Sequence, residues 1–271
     1  MKFRLLVCVT SLLISSWGWT YSDFVPLKER AQGHSLTGAL QGNESVYSNP
    51  AGTLFTEAYT VDGTFAFPKS FSASIVDTRT NSIGGGIGYF KEQGGDSSVM
   101  TQGLRLTLGS RINQNLAVGI AGKAVWGVRS GNEMNFKDAD AGFLWNADFA
   151  SVGMVIRNLG GGSSDFKQER ETSLGARVGY SQAVYISGSA HSKFGKVSPY
   201  EYGFGFEYIS PWHFSLMGGY RFQVGQAVQN PSYWSTGISF LSPRLSAHYA
   251  VEFPQLASEE ASHLLGLSMA F

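Results

Sequence analysis

Side chains able to do chemistry are sparse in this sequence, and most of them alternate with apolar or glycine neighbours. His248 and Glu252 fall on one face of such a stretch, a spacing that suits acid–base work, yet no serine stands out beside them as an acyl nucleophile. No enzyme activity is expected. Gly84-Gly85-Gly86 and Gly160-Gly161-Gly162 lack the Lys-Ser or Lys-Thr that follows in a phosphate loop, and neither opens a helix. No Cys or His cluster has metal-ligand spacing, so neither metal nor cofactor is expected. What remains is electrostatic. The cations Arg105, Lys123, Arg157, Arg177, Arg221 and Arg244 share the polar faces of their segments with Asp140, Glu201, Glu207 and Glu252, and with His191 and His248. Charges away from water persist when paired or hydrated, so a cross-linked ion-pair network is expected. An anion-attracting path is the alternative.

The elements that must position these groups are short strands. After Glu57 the apolar period is two, the mark of a strand with two unlike faces. Leu104, Leu106 and Leu108 alternate with Arg105 and Thr107. Tyr200, Tyr202, Phe204, Phe206 and Tyr208 alternate with Glu201, Gly203, Gly205 and Glu207. The face opposite the apolar one is rich in Gly and Ser, and aromatics such as Trp126, Trp145, Tyr180, Trp212, Tyr220, Trp234 and Phe253 crowd the strand ends. Charged residues are 15% and aromatics 14%, with 34 glycines, against about 25% charge in a soluble domain. This pattern predicts a transmembrane antiparallel β-barrel, all-β, of about fourteen strands, an even number as single-chain bacterial barrels require. They are placed near 57–66, 69–79, 82–91, 99–110, 116–128, 137–146, 148–158, 170–180, 183–192, 199–209, 212–222, 232–241, 243–253 and 262–271. Tight turns at 113–115, 146–148, 181–182, 210–211 and 242–243 then alternate with longer loops at 93–98, 130–136, 160–169, 194–198, 224–231 and 254–261. A net charge of +0 leaves no basic field for nucleic acid.

Before the strands the chain reads differently. Residues 1–22 have the parts of a secretory signal: Lys2 and Arg4, an apolar core from Leu5 to Ile14, then small and polar residues. That core is well short of the roughly 20 residues that span a bilayer. The single cysteine, Cys8, lies inside it, so the exported chain is expected to have no thiol chemistry. Residues 23–56 show no alternation and are expected to form a compact plug, or hatch, ahead of a barrel at 57–271; a periplasmic tail is the other reading. This segment closes on Asn49-Pro50-Ala51-Gly52, which reads as a turn: Pro50 fixes φ, Asn49 is pushed out of the helical region, and Gly52 permits positive φ.

With that plug, the Asn-Pro-Ala-Gly turn, the strand count and a terminal strand ending on Phe271, the chain resembles the FadL-like outer-membrane family, which includes transporters of long-chain fatty acids and other hydrophobic molecules and the related PorV-type barrels of protein secretion. Residues 140–145 and 151–160 look like the PorV-type branch. The resemblance implies a bacterial outer-membrane protein in contact with lipid, with Phe271 as the signal read by the barrel-insertion machinery. It implies that Asn49, Pro50 and Ala51 hold or release the plug, unless they merely end it. It also implies a kink in the third strand that opens the wall sideways, and Gly84, Gly85, Gly86 and Gly88 lie at the matching place. Room for plug side chains is the other use of these glycines, but Gly85 faces opposite to Gly84 and Gly86, so the gap is expected. Transport of a small, fatty-acid-like molecule with lateral release is therefore the leading expectation. The short outer loops keep open a PorV-type scaffold or shuttle for a secreted protein.

Overall fold

The computed structural model describes residues 24–56, 59–67, 70–79, 83–93, 99–129, 132–160, 169–180, 183–195, 199–224, 232–255 and 260–271. The expected signal at 1–22, with Cys8, lies outside them, as do the turn at 181–182 and most of the longer loops.

Fourteen antiparallel strands close into a barrel: β1 (Thr60–Phe67), β2 (Ser70–Asp77), β3 (Ile83–Gln93), β4 (Val99–Arg111), β5 (Leu116–Arg129), β6 (Asn132–Ala147), β7 (Ala150–Arg157), β8 (Glu171–Tyr180), β9 (Val184–Lys193), β10 (Glu201–Ile209), β11 (Phe214–Gln223), β12 (Ser232–Leu241), β13 (Leu245–Pro254) and β14 (Ser262–Ala270). Each strand pairs with its neighbours in sequence, and β1 closes the ring on β14 from Thr60↔Ala270 to Phe67↔His263. No strand edge is left along the seam. Beyond β14, Phe271 still donates its backbone N–H to Tyr59 O at 2.9 Å, and the two rings meet edge to face.

The barrel is built inside out relative to a soluble protein. On β4, Leu104, Leu106 and Leu108 are about half exposed while Arg105 and Thr107 between them are buried. The same inversion holds for Phe204 and Phe206 on β10 against Gly203 and Gly205. Cross-strand aromatic pairs tie the outer face together, as where Tyr220 and Trp234 bring ring centroids to 4.5 Å. An apolar belt of this extent around a closed sheet requires hydrocarbon outside it. No helix among the described residues is long and apolar enough to cross a membrane, so the crossing is made by strands.

One boundary departs from the alternation. The loop expected at 130–136 is largely strand, because β6 begins at Asn132. Along this end of β6 the exposed positions carry Glu133, Asn135 and Lys137, while the apolar Met134 and Phe136 point inward. The rule that identifies lipid-facing strands is therefore reversed here. Met134 and Phe136 join Val125, Phe90, Tyr47 and Phe24 in a buried cluster. Elsewhere strand ends shift by at most about three residues.

Residues 24–56 lie within the ring of strands. They form α1 (Leu27–Ala31), a run of turns, and two 3-10 helices at Asn43–Val46 and Pro50–Phe55. α1 packs on β11–β14, with Leu27 and Ala31 fully buried against Met217, Ala250 and Leu264. The second 3-10 helix packs on β3–β6, where Ala51 and Leu54 meet Ala117 and Leu144.

Candidate functional site

Asn49 organises the inserted segment. Its Oδ1 accepts from Ala51 N at 3.1 Å, which caps the second 3-10 helix, and Pro50 occupies the first turn, where no N–H is needed. Its Nδ2 donates to Gly38 O at 2.5 Å within the segment and to Phe143 O on β6 at 3.0 Å. One side chain thus starts a helix, ties two stretches of the segment together and pins both to the wall. The expected turn is a helix start, and Gly52 does not use its freedom for positive φ. Gly52 is needed for space instead, since a Cβ there would strike Leu40 O and Ser45 Cβ.

The seat is a ring of inward glycines. Following the segment, Gly33 lies on the backbone of Tyr220, His34 on Gly203, Ser35 on Gly205, Thr37 on Gly175, Gly38 on Gly153, Asn49 on Gly142, Pro50 and Ala51 on Gly119, and Leu54 on Gly109. At each wall glycine a Cβ would lie well inside van der Waals contact, in most against backbone atoms, and at Tyr220 it is a Cβ on Gly33 that would strike the wall's backbone. The segment so follows the inner wall from β11 round to β4. The alternation of Gly with aromatic residues was visible in the sequence, but which backbone fills each notch was not.

The third strand answers differently from the expectation. Gly84, Gly86 and Gly88 face inward and receive Leu54, Val46 and Tyr47, while Gly85 faces outward against Thr107 O and Leu108. β3 pairs with β4 residue for residue from Ile83↔Ser110 to Gln93↔Met100, and with β2 from Gly85↔Asp77 to Lys91↔Phe71. No residue is inserted in either register, so neither pairing carries a bulge along the paired residues. The three inward glycines make room for large side chains of the segment, and the register of β3 contains no bulge of the kind that bends a strand.

The inward charges fall into separate groups. Asp140, fully buried, meets the Arg105 guanidinium and lies 3.1 Å from Lys123 Nζ, and its Oδ1 accepts from Asn158 N at 3.0 Å. Arg105 also donates to Tyr47 O at 2.5 Å, joining this group to the segment. Across the barrel, Arg221 reaches Glu252 at 3.2 Å and Glu201 at 3.9 Å. Between these carboxylates sits His34 of the segment, its Nδ1 3.3 Å from Glu201 and its Nε2 3.9 Å from Glu252, at a left-handed φ of 59°. Arg177 pairs with Glu207 at 2.7 Å. Arg157 is buried near the loop end of β7. His248 bonds Ser239 at 2.7 Å and is not joined to Glu252, so the acid–base pair suggested by their spacing does not form. Arg244 lies exposed in the turn between β12 and β13, outside the network. His34, Glu44 and Asp62 carried no signal in the sequence, because their partners are brought in from distant strands.

Glu44, on the first 3-10 helix, is buried and accepts from Lys28 N at 3.0 Å. Burial pushes its carboxyl up from 4.5 to about 8, against the pull of Lys28. The folded protein therefore holds a proton that the opened segment would release, and stability should fall as pH rises from about 4.5 to about 8. Melting of the detergent-solubilised protein across this range should show Tm declining, with the slope reduced in Glu44→Gln. A Tm that rises with pH to the same degree in both proteins would exclude this role.

Fold and interior together define a class: a membrane-spanning fourteen-strand barrel whose lumen holds its own N-terminal segment. Among solved structures, this fold is shared with the CymD monoaromatic hydrocarbon channel, at TM-score 0.71 and 12% identity, covering 91% of this chain and 97% of that one. The Pseudomonas putida toluene transporter TodX matches at TM-score 0.68 and 12% identity over 92% of this chain and 99% of that one. A Pseudomonas aeruginosa FadL homologue matches at 0.61 and 12%, over 91% and 99%. The chain has the FadL-like barrel fold. No family model and no curated protein matches its sequence.

Proposed function

We propose that this chain is a bacterial outer-membrane barrel that passes a small hydrophobic molecule, with residues 24–56 as the hatch that closes it. The observation that carries this reading is the packing of Leu54, Val46 and Tyr47 into the wall at Gly84, Gly86 and Gly88. Withdrawal of the hatch would leave a strip of β3 without side chains, lined by backbone and by the apolar residues of its neighbours. At the turn end of this strip β2 stops at Asp77, so Ile83 and Gly84 pair with β4 alone, which supports the β2–β3 seam as the route of lateral release. Sharing a fold with hydrocarbon channels supports the same substrate class.

The test is uptake of labelled toluene and of a labelled long-chain fatty acid by cells lacking their own transporters. Cysteines at Ile75 and Ile87, which face each other on the outer side of β2 and β3, staple the seam when oxidised. Uptake that falls on oxidation and returns on reduction is the expected result. Uptake indifferent to the staple would remove the lateral route, and none of either compound despite surface insertion would remove transport.

A second reading, the non-conducting scaffold or shuttle for a secreted protein, is favoured by a specific feature. The hatch is bonded to the wall at Asn49, Tyr47 and His34 through buried polar groups, as in a permanent closure. Co-purification of one stoichiometric exported protein, together with absent uptake, would select it.

A further inference from the structure

At the tight-turn end of the barrel, hatch and wall enclose a cavity of about 200 Å³ that the transport reading does not use. Lys28, Gln41, Asn43 and Glu44 line it from the hatch, and Thr60, Asp62, Ser246, Ser268 and the turn residue Arg244 from the wall. Elsewhere inside the barrel, Arg105, Lys123, Arg177 and Arg221 each meet a carboxylate within 4.0 Å. Among the described residues, the side chains of Lys28 and Arg244 make no ion pair, although they line the same cavity. The two acids in the lining are each hydrogen-bonded within it, Glu44 accepting from Lys28 backbone N and Asp62 Oδ2 from Ser268 at 2.5 Å, and both lie in the field of the Lys28 ammonium without closing an ion pair on it.

We propose that this cavity binds a small organic carboxylate, its anionic group held by Lys28 and Arg244. Ser246 adds a hydroxyl donor, while Gln41 Nε2 and Asn43 Nδ2 already donate one hydrogen each, to Asn146 Oδ1 and Ser74 O; charge-assisted bonds from an ammonium and a guanidinium are the strong kind for a carboxylate. The proton held by Glu44 near neutral pH leaves the lining net positive. Pro243, Met269 and Ala270 give the remaining wall an apolar character suited to a short alkyl chain. The volume is below the roughly 300–1,000 Å³ of drug-sized ligand sites, which excludes long chains. Because one cation comes from the hatch and the other from the wall, an occupant clips the two together and favours the closed barrel.

Calorimetric titration of the full-length protein in detergent at neutral pH, with sodium butyrate as the probe, tests this directly and independently of uptake. Saturable binding is expected, weakened about tenfold or more by Lys28→Met and by Arg244→Met. Arg244 is exposed in a turn, so its variant stays informative even where Lys28→Met fails to fold. No saturable binding to the native chain overturns the proposal, as does binding unchanged in both variants. Ethylammonium binding in place of butyrate would mean that the acids define the site, and phosphate binding as tightly as butyrate would remove the carboxylate assignment. Either result overturns the proposal as stated.

Discussion

Gly153→Val should dislodge residues 24–56 from the wall. The carbonyl oxygen of Gly38 occupies the place where a Cβ on Gly153 would stand, and Gly38 itself, at φ 91°, has its own Cβ position 2.9 Å from Gly153 O. Two backbones are in contact, so neither can swing aside as a flexible side chain could. Overpacking a close contact costs about 1–3 kcal/mol when neighbours can adjust, and here adjustment requires moving the stretch bonded to Asn49. The expected result is a larger steady ion conductance in planar bilayers than the native protein gives, with new protease cleavage within 24–56. Gly122→Val is the control, since Gly122 is exposed and nothing lies within 4 Å of its Cβ position. Equal currents and equal protection in the two variants would mean that the glycine ring does not hold residues 24–56.

The second large effect is expected at Asp140. Its carboxylate stands against Arg105 and Lys123, and all three side chains are at most 2% exposed. Asp140→Ala leaves two buried cations facing each other, and breaking a buried pair by removing one partner costs about 3–5 kcal/mol. The folded barrel should then lose its heat-modifiable compact form at a lower temperature or urea concentration. Replacing all three together, with Asp140→Leu, Arg105→Met and Lys123→Met, should recover most of that loss, because no unpaired charge remains. The contrast is the exposed Lys193–Glu169 pair, whose removal should cost no more than about 1 kcal/mol. A triple variant as unstable as Asp140→Ala would place the cost in packing around Tyr47 and Asn158 instead of in charge.

The two predictions mark different depths of legibility. That Asp140, Arg105 and Lys123 face inward could be read directly, because each alternates with residues that suit lipid. That Asp140 bonds both cations could not, since it requires β4, β5 and β6 to be adjacent at matching heights. The failures have the same cause. Arg244 shares its period with the strand that follows but sits in the turn before it. His248 and Glu252 share a face, yet Ser239 and Arg221, from other strands, take their hydrogen bonds. At β3 the glycine run was compatible with a bend or with a socket, and the side chains that fill the socket lie thirty or more residues earlier.

Local alternation by itself determined the architecture. A strand's two faces are a property of successive residues, so the fourteen strands, their lipid side and the barrel class follow from the order of apolar and polar residues. The tertiary structure alone decided how the interior closes. Whether a segment of the chain seats on Gly84, Gly86 and Gly88, which carboxylate holds which cation, and that Lys28 and Arg244 line one cavity all depend on backbone-to-backbone distances across the lumen. Those distances are set by the register of the closed sheet and the path of residues 24–56 within it, which no spacing along one segment encodes.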